Sequence, residues 1–202
     1  PVLVDSSGTR REGAAVLIYL LNKHKNTMLP ETGKERDQAI QDIMFANSTM
    51  HPAYGRLFFI NQNITDEKAK QSALEAAADA INLLWQVVEQ QLEDKAFLGG
   101  DQPSAADIML TVYSRWGAGY PVEIKLGLKT QKMLDAVLLM PNFERALAAT
   151  TCVDLRFHDP KWAVHFTGSC FRVLCFEHGT TVRYGGAVAG KECLGLIFVD
   201  VH

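Results

Sequence analysis

Hydrophobic and polar positions follow three rhythms along this chain of 202 residues. At the start, "PVLV" is short and apolar, and Ser6-Ser7-Gly8 follows as a tight turn, so residues 1–4 and 9–11 are expected to pair as a small hairpin. From Glu12 the period lengthens. Ala15, Val16, Tyr19 and Leu20 share one helical face, which predicts a helix to about His24. Residues 25–30, "KNTMLP", form a linker, because Pro30 disfavours helix in the residue before it. A second helix is expected from Glu31 or Thr32 through Ile40, Ile43 and Met44. Pro52 removes a backbone donor, so a kink or break is expected at Met50-His51-Pro52, with the helix resuming to about Asn61.

The clearest stripe lies further on. Leu74, Ala77, Ile81, Leu84, Val88 and Leu92 recur at steps of three or four, the signature of a helix with one buried face. Thr65 or Asp66 can cap its start. Trp85 sits beside the stripe and is expected in the core. After Gly99-Gly100, Ser104 and Asp107 have the spacing of a capping box, in which the hydroxyl accepts the amide of residue 107 and the carboxylate accepts that of Ser104. Because Ile108, Met109, Val112 and Trp116 follow, the capped helix should enter the core. "EIKLGLKTQKMLDAVLLM" predicts another amphipathic helix, and Pro141 starts a final short one.

After Thr150 the helical period vanishes. "WAVHF", "CFRVLCFE", "TTVRYGG" and "LGLIFVDVH" are β-type segments between glycines. All four cysteines (Cys152, Cys170, Cys175, Cys193) and four of the six histidines fall after residue 150. This break in composition predicts that residues 151–202 are an atypical tail outside the fold before it, as a frameshift or readthrough would produce. The cysteine distribution also argues against a disulfide-stapled secreted domain.

Composition narrows the function. A hydrophobic content of 48% and a charged content of 21% suit an ordinary globular chain with a sizeable core. A formal charge of −3 gives no general attraction to nucleic acid or anionic membrane. No apolar run reaches the roughly 20 residues that span a bilayer, and the cytoplasm is the default compartment. His165, Cys170, Cys175 and His178 lack the paired spacing of structural zinc sites, so no metal is expected. Gly99-Gly100 and Gly185-Gly186 lack the Lys-Ser/Thr of a phosphate loop. Arg10-Arg11, Lys23 and Lys25 are too sparse for a nucleic-acid surface.

Over residues 1–149, the succession "PVLVDSSGTRREGAAVLIYLLNKH", a helical bundle and "FLGGDQPSAADIML" resembles the soluble glutathione transferase family, in its bacterial type. The resemblance implies a mainly α fold. Residues 1–25 would be a partial thioredoxin-like ββα segment, 26–30 the linker, and 31–150 the all-helical C-terminal domain. Pro1 matches the family's cis-proline position, Val2–Val4 the strand after it, and Glu12-Gly13 the place where the family usually has Glu-Ser or Gln-Ser. Val2, Glu12 and Gly13 are thereby implied in binding glutathione. The helix start meets the γ-glutamyl carboxylate, and Glu12 pairs with the ammonium group. Gly13 keeps the amide of the usual serine but not its hydroxyl. His51 and Tyr54 match the electrophile wall of bacterial-type members, and Arg115 and Trp116 could face the same cleft. Members also contact glutathione across a dimer interface near Asn47.

The resemblance further implies that the first part of the thioredoxin-like domain lies outside these residues, together with the Tyr, Ser or Cys that stabilises the thiolate. No catalytic residue is therefore assigned in the chain. A free thiol is only roughly 3% ionised at pH 7, and lowering its pKa by about two units takes about 2.7 kcal/mol of preferential stabilisation of the anion. Two functions follow from the resemblance. One is a homodimeric detoxifying transferase that conjugates glutathione, as substrate and without a further cofactor, to small hydrophobic electrophiles. The other is a noncatalytic binding or interaction module built on the same helical domain.

Overall fold

The computed structural model describes residues 1–24 and 26–152, and beyond these 173–176, 183–184, 187–188 and 194–197. Two compact units form: Pro1–Leu20 with Leu139–His202, and Leu21–Leu138.

In the first unit β1 (Val2–Asp5) pairs antiparallel with β2 (Gly8–Arg11), with Val2 opposite Arg11 and Asp5 opposite Gly8. Gly8 turns the corner at φ 121°, a conformation that favours a residue without Cβ. The hairpin runs directly into α1 (Gly13–Lys23), whose Ala14, Val16, Leu17 and Leu20 are buried. This is the predicted ββα segment, with boundaries within a residue or two of those expected. α7 (Pro141–Cys152) also belongs to this unit. In the tail, β3 (Val173–Phe176) pairs antiparallel with β6 (Leu194–Ile197), and β4 (Arg183–Tyr184) with β5 (Ala187–Val188). "WAVHF", His165, Cys170, His178 and Gly185-Gly186 lie outside the described residues.

The second unit is helical. Its entry is fastened by Asn26, whose amide donates to the Leu21 and His24 carbonyls and whose carbonyl accepts from Met28 and Leu29. α2 (Lys34–Phe45) starts two or three residues later than expected, because Gly33 at φ 86° forms the N-cap. The kink or break expected at Pro52 takes the form of a local irregularity within continuous helix. A π-helical turn, Ala46–Met50, carries α2 into α3 (His51–Asn63), and the His51 amide reaches back to Ala46. Widening the turn is a physical answer to the proline ring, which would press on the carbonyl four residues earlier in a regular α-helix.

α4 (Glu67–Leu92) is capped by Asp66, which accepts from the Ala69 amide at 2.8 Å. Leu74, Ala77, Ile81, Val88 and Leu92 are buried as the stripe predicts, whereas Leu84 is only partly buried and the neighbouring Trp85 is fully so. α5 (Ala105–Ser114) opens with the predicted capping box. α6 spans only Leu128–Leu138. The amphipathic pattern over 123–127 does not become helix because α4 claims that backbone: Asn82 donates to the Glu123 carbonyl and accepts from the Lys125 amide.

Glu89 then caps α6 from across the bundle. Its carboxylate accepts from the Thr130 amide and hydroxyl, both at 2.7 Å, and from the Lys129 amide at 3.1 Å. Gly127 makes room for it, since a Cβ there would stand 2.2 Å from the Glu89 carboxyl carbon. Partial burial pushes the Glu89 pKa up, but the Thr130 and Lys129 donors outweigh it and the net shift is downward. The resulting stabilisation is complete above the carboxylate's unfolded pKa and is lost as pH falls through the depressed folded one. Glu89→Ala should therefore cost about 0.5–2 kcal/mol at neutral pH. The deficit should shrink in acid, as read from urea midpoints at pH 7 and below 4.

Candidate functional site

The two sets of predicted site residues fall in different units. In the first unit, β2 hands over to α1 at Glu12, which adopts φ 69°. A left-handed conformation costs a residue with a Cβ roughly 1–2 kcal/mol, and such strain persists only where the surroundings impose it. The Glu12 carbonyl accepts the first helical hydrogen bond, from the Val16 amide at 2.9 Å. Glu12 is thus the residue at the helix threshold, with its side chain exposed, and buried Gly13 is the first helical residue. Val2 is partly exposed on β1, opposite Arg11. The helix threshold presents a carboxylate beside the first amides of α1, which have no acceptor within the helix. Those two features complement an α-amino acid group, the ammonium on one and the carboxylate on the other.

In the second unit, aromatic rings converge from α3, α5 and the short 3-10 turn Trp116–Gly119. His51 meets Tyr113 at 5.3 Å and Trp116 at 5.2 Å, edge to face in both cases. Trp116 also meets Tyr113 at 4.8 Å, Phe58 at 5.7 Å and Tyr54 at 6.4 Å, and Phe58 continues to Tyr120 at 5.6 Å. His51, Phe58, Trp116 and Tyr120 are partly exposed, while Tyr54 and Tyr113 are buried behind them. Three of the four predicted electrophile-site residues are therefore brought together. Arg115, the C-cap of α5, is exposed beside them.

Tyr54 contributes from within the core. Its hydroxyl accepts from Trp85 Nε1 at 2.9 Å, it is fully buried, and its phenol pKa is raised by that burial. Its role in the cluster is to support the Trp116 ring. Phe58 and Tyr113 were not singled out from the sequence. The spacing i, i+3 from Tyr113 to Trp116 was the available signal, and Phe58 stands one turn beyond Tyr54 on α3.

At the opposite end of α5 from Tyr113, the helix start is a buried polar knot. Asp107, fully buried, accepts from the Ser104 amide and hydroxyl, both at 2.7 Å, and from the Leu98 amide at 3.0 Å. On α2, buried Asp42 accepts from Gln38 at 2.8 Å. Burial raises the pKa of both carboxyls, and for Asp42 the nearby Asp107 charge adds to the rise. A separate groove of about 220 Å³ runs between α4 and residues 121–125. It is lined by Glu75, Asp79, Asn82 and Lys125 among others, and shares no residue with the aromatic cluster. Among the described residues no group of three or more His, Cys, Asp or Glu could hold a metal ion, and no helix is long and apolar enough to cross a membrane.

This helical unit has the architecture of a transferase C-terminal domain. Residues 46–132 match the family model for the glutathione S-transferase C-terminal domain. Over 150 residues the chain is 29% identical to glutathione S-transferase GST-4.5 of Xanthomonas campestris pv. campestris, spanning 73% of this chain and 69% of that protein. It is also 28% identical over 122 residues to elongation factor 1-gamma of Schizosaccharomyces pombe, spanning 59% of this chain and 29% of that one. Among solved structures, a Burkholderia graminis glutathione transferase with two glutathione molecules bound per subunit is 27% identical. That match covers 70% of this chain and 62% of the other, with a TM-score of 0.58. Residues 46–132 thus belong to the glutathione S-transferase C-terminal domain family, and over about three quarters of its length the chain is similar to bacterial glutathione S-transferases.

Proposed function

We propose that this protein binds glutathione through the Glu12–Gly13 junction and serves the conjugation of its thiol to small hydrophobic electrophiles. Val2 contributes beside that junction, and the protein acts as a cytoplasmic homodimer. The observation that carries the electrophile preference is the partly exposed aromatic cluster of His51, Phe58, Trp116 and Tyr120. Ring faces and edges favour flat, polarisable, apolar molecules. The His51 imidazole among these is suited to donate a hydrogen bond or pass a proton as a leaving group departs. Exposed Arg115 adds a cationic rim that suits electrophiles carrying an anionic or strongly polar substituent. In the conjugation, the thiolate sulfur forms the new bond to the electrophilic carbon, and the leaving group departs with the bonding pair. The family's thiolate-stabilising residue is not assigned to any position of this chain.

A second function, a noncatalytic interaction module, is favoured by the 28% identity over 122 residues to elongation factor 1-gamma, whose name is not that of a transferase. Retention on immobilised glutathione, followed by a conjugation assay with an aromatic halide, separates the two. Retention with turnover is expected for the transferase. Retention without turnover favours the module, and failure to be retained removes glutathione from both.

A further inference from the structure

The hairpin and α1 are joined by a ring of polar contacts that neither the fold nor the proposed chemistry has used. Its centre is Asp5, at the end of β1, whose side chain is 1% exposed. Asp5 accepts from the Ser7 amide at 2.9 Å, the Ser7 hydroxyl at 2.6 Å, Arg10 Nη1 at 3.2 Å and the Tyr19 hydroxyl at 2.5 Å. Arg10 closes the ring twice: it donates to the Ser7 hydroxyl at 2.9 Å, and its guanidinium lies 3.5 Å from the centre of the Tyr19 ring. The contacts therefore span β1, the turn, β2 and α1.

The left-handed Glu12 sits inside this ring along the chain. Arg10 precedes it by two residues, and Tyr19 follows by seven, roughly two helical turns into α1. Fixing both flanks fixes the backbone between them. A carboxylate buried to this degree and supplied with donors from three elements holds its geometry more firmly than an exposed ion pair does. We propose that Asp5, Arg10 and Tyr19 are positioning residues that hold the Glu12–Gly13 junction in the conformation that receives the γ-glutamyl end of glutathione. This rests on the glutathione-binding function proposed above, and gives it a mechanism of preorganisation.

The test uses the ¹⁵N-labelled full chain, titrated with glutathione and with cysteinylglycine, which lacks the γ-glutamyl group. Both are followed at the Gly13 amide, and thermal unfolding of each variant is recorded alongside. Tyr19→Phe and Asp5→Asn should each weaken glutathione binding by about fivefold or more while leaving cysteinylglycine binding as in the unaltered protein. Glu12→Gln should weaken glutathione alone, and adding Tyr19→Phe to it should cause less than the product of the two losses, because both act on one contact. If the unaltered protein does not prefer glutathione to cysteinylglycine, the underlying binding function fails and the clamp with it. If that preference and the Glu12→Gln effect are present but Tyr19→Phe and Asp5→Asn leave affinity unchanged, the binding function stands and the clamp is overturned. Equal weakening of both ligands would also overturn it, since it would mark a general loss of structure.

Discussion

Asp107→Ala is expected to lower the unfolding free energy by about 3–5 kcal/mol. Truncation removes the acceptor for the buried Ser104 amide and hydroxyl and for the partly buried Leu98 amide. Each buried donor left without a partner costs about 1–3 kcal/mol, and the lost cap about 0.5–2 kcal/mol on its own. Against a total stability of about 5–15 kcal/mol, such a loss is severe. Urea unfolding at pH 7 measures it, and Ser104→Ala, which removes only the hydroxyl, should fall within the range for a lost cap. A loss below about 1 kcal/mol for Asp107→Ala would mean that water or rearrangement replaces the carboxylate.

The neighbouring Asp42 gives this knot a pH signature. Its folded pKa is raised, first by burial and then by Asp107, while Gln38 and Lys95 oppose the rise. An acid that binds its proton more tightly when folded contributes a penalty that is absent below the unfolded pKa and complete above the folded one. Asp42→Asn should therefore raise stability relative to the unaltered protein at pH 7, and that advantage should fade as pH falls toward 4.

Trp116→Ala should produce the largest functional effect, roughly a tenfold loss of affinity for an aromatic electrophile or its unreactive analogue. Trp116 is the ring shared by His51, Tyr54, Phe58 and Tyr113, so its removal disconnects the cluster. Aromatic pairs contribute about 0.5–1.5 kcal/mol each beyond their buried area, and losing one or two such contacts to a ligand gives that factor. Glutathione affinity should stay as it was, because Trp116 is not among the residues proposed to meet the tripeptide. Steady-state kinetics at saturating glutathione, with the electrophile varied, would show a raised KM for the electrophile. An unchanged KM would remove Trp116 from the electrophile site.

The sequence was a good guide wherever one residue's chemistry acts on its own backbone. The stripe from Leu74 to Leu92, the Asp66 cap and the Ser104–Asp107 box are local devices, and each stands where its spacing predicts. The ββα start was legible for the same reason: a turn-forming Ser-Ser-Gly and a change of period lie within 12 residues. The proline signal at residue 52 was correct as a disturbance, but its form, a π-helical turn in place of a break, depended on the helices that hold both flanks.

Three features were decided only in three dimensions. Residues 123–127 carry a helical pattern, yet Asn82, more than 40 residues earlier, captures their backbone. Tyr54 matches the electrophile wall by resemblance, yet its hydroxyl accepts from Trp85 inside the bundle and its ring is fully buried. Glu12 at φ 69° has no sequence signature at all, because glutamate does not favour that conformation. What the sequence determined by itself was the order of elements, the local caps of α4 and α5 and the helical class, since these follow from interactions within a few residues. What the tertiary structure decided was which side chains are left to meet a ligand, because that depends on partners distant in the chain competing for the same polar atoms.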